Sequence, residues 1–99
     1  MQNYETESLK ELYRAVALLQ NEEEVAAFLE DICTIKEVLD MAQRLSAAKM
    51  LKAGVNYQTI AKEVGISTAT ISRVSRCIQY GSGGYRLVLD RMKEAAEEK

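Results

Sequence analysis

From Ser67 to Arg76 the chain reads Ser-Thr-Ala-Thr-Ile-Ser-Arg-Val-Ser-Arg, a run of hydroxyls and methyls with two arginines and only two large apolar side chains. Catalysis is a poor use for such a segment. The chain has no histidine, so the commonest general base and metal ligand is missing. Ser46 and Cys77 therefore have no imidazole to activate them, and two separated cysteines, Cys33 and Cys77, cannot close a zinc site. Neither an enzyme nor a bound metal or cofactor is expected. Nucleic acid suits these residues better. Ser and Thr hydroxyls bond phosphates or base edges, Ala and Thr methyls pack on thymine methyls, and basic side chains neutralise phosphates. The candidate DNA-binding set is Ser67, Thr68, Ala69, Thr70, Ser72, Arg73 and Arg76, with Gln58 and Lys62 on the segment before.

Such a set works only if helices hold it. Asn56 can cap a short helix over Tyr57 to Val64, and Gly65 ends it by supplying a positive φ. Ser67 can cap a second helix from Thr68 to about Gln79, whose inward stripe is Ile71, Val74 and Ile78. Ala61 must be small where the two helices cross, and Ile60, Val64, Ile66, Ile71 and Val74 wedge them apart at a fixed angle. Two short helices joined by a tight glycine turn make a helix-turn-helix, here over about residues 57–79. Its second helix enters the major groove N-terminus first, so bulky residues there would hold it off the bases.

The rest of the chain reads as further helix. There is no proline, and no strand pattern or repeat appears. Leu9, Leu12, Tyr13, Val16 and Leu19 mark a first amphipathic helix over about Thr6 to Leu19. Asn21 and three glutamates open a second, with Val25, Phe28, Leu29 and Ile32 as its buried stripe. Thr34 and Glu37 have capping-box spacing for a third, about Ile35 to Ala53. Its inward residues are Ile35, Val38, Leu39, Ala42, Leu45 and Ala48, continuing to Leu51, and Gly54 stops it. Gly81-Ser82-Gly83-Gly84 forms a turn. A sixth helix follows with Tyr85, Val88, Leu89 and Met92 on one side, and frays in "EAAEEK". The expected organisation is one all-α domain over residues 1–99, with its cysteines reduced and in core or semi-core positions.

Charge separates along the chain. Met1 to Ala48 carries ten acids against four bases, whereas Lys49 to Lys93 carries eight bases against two acids. The net charge of −2 hides a basic half that contains the helix-turn-helix. No apolar run reaches membrane-spanning length and the acidic N-terminus is neither signal nor transit peptide, so a cytoplasmic protein without membrane partners is expected.

Three stretches, "QRL" at Gln43 to Leu45, "ATISRV" at Ala69 to Val74 and "YGSGGY" at Tyr80 to Tyr85, resemble the Trp repressor superfamily, and within it the YerC/YecD-type branch. The resemblance runs from about Leu29 to Met92. It implies six helices per chain, the first three and the last interlocking with a second subunit, and the fourth and fifth forming the reading head. An intertwined homodimer on a double-stranded DNA operator, with reading heads about 34 Å apart, is the implied assembly. By the same resemblance a small-molecule effector pocket would involve Thr34, Ala42, Arg73 and Cys77. Arg73 matches the arginine that stacks on tryptophan in the family's namesake. Ala42 stands where the carboxylate-binding arginine is expected and offers no charge, Val74 replaces a glycine, and Cys77 replaces a serine. Tryptophan is therefore not the expected effector, since a partly buried carboxylate without its cation is costly. A transcriptional repressor is the reading that follows. The competing reading is a protein-interaction module that keeps the helix-turn-helix only as a scaffold, and salt-sensitive binding to random duplex DNA separates the two.

Overall fold

The computed structural model describes residues 3–97. Among these, all regular structure is helical: α1 Asn3–Ala17, α2 Glu22–Ile32, α3 Ile35–Lys52, α4 Tyr57–Ile60 continued by a π-helical turn Ala61–Gly65, α5 Thr68–Tyr80 and α6 Gly84–Glu97. The chain divides into two compact units, Met1–Val38 and Leu39–Lys99, with the boundary inside α3.

In the first unit the helix starts follow from local hydrogen bonding. The Asn21 side chain accepts from the Glu24 amide at 2.9 Å, and the Glu24 carboxylate accepts from the Gln20 amide at 2.8 Å. At the head of α3 the expected capping box forms reciprocally. The Thr34 hydroxyl accepts from the Glu37 amide at 3.1 Å and the Glu37 carboxylate from the Thr34 amide at 2.7 Å. α1 departs from its expected span, beginning at Asn3 and ending at Ala17. Leu18 and Leu19 instead donate to the Ala15 and Val16 carbonyls, a tightened final turn that closes the helix two residues early. The apolar stripes are also less covered than their periodicity implies. No residue of α2 is buried, and Leu12, Tyr13, Val16, Val25 and Ile32 are exposed. Short amphipathic helices specify an apolar face, but another element must cover it.

The second unit holds the core. Ala47, Ala48, Ile60, Ile71 and Val74 are buried, and Met50, Leu51, Val55, Ala61, Val64 and Ile66 pack against the cluster of Ala47, Ile60 and Ile71. The inward face of α3 is thus centred on Ala47, while Ala42 and Leu39, expected inside, are exposed. Side chains four apart share a helical face, so a stripe through Ala47 and Leu51 leaves Ala42 on another side. Gly54, at φ +83°, ends α3, and the Gly54 and Val55 amides bond back to the Leu51 and Met50 carbonyls. α6 differs from expectation at both ends: Gly84 is its first residue rather than part of the turn, and it runs without a break through Ala95 and Ala96 to Glu97. The remainder of the expected fray, Glu98 and Lys99, lies outside the described residues. No residue of α6 is buried. Its Asp90 pairs with Lys52 at 3.5 Å, an exposed contact that contributes at most about 1 kcal/mol. Both cysteines are free thiols. Cys33 is half-buried as expected, but Cys77 is exposed; the residues of α5 that are buried are Ile71 and Val74.

Candidate nucleic-acid interface

The reading head begins at Asn56, whose side chain accepts from the Thr59 amide at 2.9 Å and starts α4. A regular helix to Val64 is the sequence expectation; instead the turns widen to π spacing over Ala61–Gly65. Gly65 has φ +81°, and a Cβ built there would meet nothing within 4 Å. Glycine is needed at this position for its backbone conformation alone. Ile66 is extended, and Ser67 then caps α5, its hydroxyl accepting from the Thr70 amide at 3.1 Å.

Along α5 the faces separate as the periodicity predicts. Ile71 and Val74 point into the core at 0% and 2% exposure. Ser67, Thr68, Ala69, Arg73 and Arg76 are exposed, and Thr70 and Ser72 are half-buried. Thr70 has a local task as well, its hydroxyl lying 3.0 Å from that of Ser67. Gln58 and Lys62 are exposed on α4 and the π turn. Among the described residues no carboxylate pairs with Lys62, Arg73 or Arg76, so their charge is available to an outside anion. The head of α5 consequently offers short hydroxyl and methyl side chains on a helix N-terminus, flanked by free cations. That chemistry fits a phosphate-lined groove with base edges at its floor.

Thr34, Ala42, Arg73 and Cys77 are the residues expected to surround an effector. Thr34 belongs to the first unit, where its hydroxyl and amide are engaged in the capping box. Ala42 and Arg73 are exposed. Cys77 lines an open cavity of about 520 Å³ with Leu45, Tyr85, Val88 and the glycine turn. Its walls carry no charged side chain, so it offers a carboxylate no cation. One residue in this region is missing from the expected set. The side-chain amide of half-buried Gln43 on α3 donates to the Val64 carbonyl at 3.4 Å, reaching the reading head from outside it. Its signal in the sequence is a polar residue one helical turn before Ala47, on the stripe that continues to Leu51.

The Trp repressor protein family matches residues 7–93 of the chain. The chain belongs to the Trp repressor family. A Bacillus subtilis (strain 168) relative, the uncharacterized protein YerC, is 47% identical over 90 residues, spanning 91% of this chain and 86% of its own. Two solved structures share the fold. A candidate Trp repressor of Staphylococcus aureus superposes with a TM-score of 0.84 at 46% identity, covering 94% of this chain and 95% of its own. A TrpR-like protein of Eubacterium eligens ATCC 27750 gives a TM-score of 0.84 at 42% identity, covering 88% and 90%. The all-helical architecture with a helix-turn-helix is therefore the fold of the Trp repressor family. No helix among the described residues is long and apolar enough to cross a membrane.

Proposed function

We propose that this protein is a sequence-specific DNA-binding transcriptional repressor that works as a homodimer and places α5 in the major groove. The observation that carries the reading is the head of α5. There Ser67, Thr68, Ala69 and Thr70 surround a capped helix N-terminus, with Lys62, Arg73 and Arg76 beside it free of acidic partners among the described residues. Thr68, Ala69 and Ser72 serve base edges and methyls, whereas Gln58, Lys62, Arg73 and Arg76 hold the phosphate backbone. Membership in the Trp repressor family supports the same conclusion.

Support for the dimer comes from apolar exposure. Tyr13 is 63% exposed on α1, and Ile35 and Leu39, one turn apart on α3, are 72% and 56% exposed. Side chains of this size at helical spacing are covered in a stable protein, and a second copy is the simplest cover. Any effector differs from tryptophan, since Ala42 supplies no cation and the cavity beside Cys77 has uncharged walls. The test is selection of bound sequences from a random duplex library, followed by titration of the selected operator and of random duplex across salt concentration. Enrichment of a twofold-symmetric site, with affinity for both duplexes falling as salt rises, is the expected result. Binding that ignores salt, or no enrichment, would favour a protein-interaction role instead.

A further inference from the structure

We infer that Gln43 is a positioning residue of the reading head: its side-chain amide ties the carbonyl at the end of the π turn to α3 and so sets the angle at which α5 is presented. The inference rests on the DNA-binding reading. Four features of the second unit lead to it.

The first is the state of the Val64 carbonyl. A helix that stops leaves its last carbonyls without following amides. The π turn stops at Gly65, and the chain then turns extended through Ile66. Among the described turn and loop bonds, none ends on the Val64 carbonyl, whereas the Gln43 side chain reaches it at 3.4 Å. The second is the place of Gln43 on α3. It lies one helical turn before Ala47, and Ala47, Met50 and Leu51 are the α3 residues that pack with Ile60 and Ile71. A half-buried amide on that stripe is unneeded for the core and costs desolvation unless it has a partner.

The third feature is what the remaining contact can do. Ala47, Met50, Leu51, Ile60 and Ile71 hold the reading head on α3 by apolar packing. Such packing is non-directional and tolerates small slides and rotations. A hydrogen bond fixes a direction, although at 3.4 Å this one is long and its contribution modest. The fourth is where the tie is made. Gly65 and Ile66 are all that separate Val64 from the Ser67 cap, so a rotation of the turn is carried directly into the head of α5. Groove recognition responds to such rotations because base contacts are directional, while phosphate attraction is long-ranged and forgiving.

The experiment compares the parent with Gln43→Leu, which removes the donor, and Gln43→Glu, whose ionised carboxylate cannot donate to a carbonyl. Affinities for the selected operator and for random duplex are measured at one salt concentration and then across salt. Amide hydrogen exchange at Thr70 and Ile71, the amides bonded to Ser67 at the start of α5, is followed without DNA. The expected result is a fall of about fivefold in the operator-to-random ratio for Gln43→Leu, the size of one modest hydrogen bond. Gln43→Glu falls further, because the carboxylate faces another oxygen. Random-duplex affinity and salt slope stay near the parent's, the thermal midpoint falls by no more than the loss of one hydrogen bond allows, and exchange at Thr70 and Ile71 quickens in both variants. Unchanged ratio and exchange overturn the inference. So does an equal loss on operator and random duplex accompanied by a lower midpoint, which would make Gln43 a residue of general stability. Should Gln43→Leu fail to fold, Gln43→Glu, which preserves size and polarity, decides the matter. If the parent binds no duplex at all, the DNA reading fails separately, and the exchange rates still report whether Gln43 holds the head of α5.

Discussion

Ile71 joins the recognition surface to the core, and shortening it should separate fold stability from surface chemistry. The side chain is fully buried against Ala47 and Ile60. Ile71→Ala removes three carbons, about 2.4 kcal/mol at ~0.8 kcal/mol for each buried methylene. The vacated space adds a penalty because neighbours relax only in part, for a total of about 3–4 kcal/mol. Ile71→Val removes one carbon and should cost about 1 kcal/mol. The second unit has little with which to compensate, since its other buried apolar residues are Ala47, Ala48, Ile60 and Val74. Urea unfolding followed by far-ultraviolet circular dichroism, at one fixed protein concentration, measures both losses. The Ala variant should also lose operator affinity, although its exposed residues are untouched. A loss below about 1 kcal/mol for Ile71→Ala, with an unchanged denaturant slope, would refute the placement of this side chain in the core.

Gly65→Ala should lower stability by about 1–2 kcal/mol purely through its φ of +81°, since the added methyl meets no neighbour within 4 Å. Calorimetry checks this, and an unchanged midpoint would mean the turn adopts another conformation. Ser72→Ala should weaken operator more than random duplex, by about 1–3 kcal/mol for one lost base contact, whereas Lys62→Ala should weaken both alike and flatten the salt dependence. Ser72 is a cleaner probe than Thr70, whose hydroxyl lies 3.0 Å from the capping Ser67 and whose removal also disturbs the cap. The thermal midpoint should rise with protein concentration if a second copy covers Tyr13, Ile35 and Leu39, and a folded monomer in sedimentation at micromolar concentration would contradict the dimer. Millimolar L-tryptophan should leave both midpoint and operator affinity unchanged, and a saturable rise in either would show that some other group holds its carboxylate.

What is local can be read from the residues alone. Asn21, Thr34, Asn56 and Ser67 each accept from an amide three residues on, which follows from side-chain oxygens placed at helix starts. Gly54 and Gly65 carry the positive φ values that end their helices, and Ile71 and Val74 face inward as a 3.6-residue period requires. Tertiary structure decided what depends on partners far along the chain. Periodicity marks an apolar face without saying which part of it finds cover, so Ala47 is buried while Leu39 and Ala42 on the same helix are exposed. Spacing rules do not foresee the π turn at Ala61–Gly65, because a 3.6-residue period describes regular helix and not its local widening. Nor do they foresee that Gln43 reaches Val64 across 21 residues, since a side chain's hydrogen-bond partner is chosen by the packing that brings it near. Local hydrogen bonding and helical period act within one or two turns of chain, whereas cover and long-range pairing exist only once the helices have met.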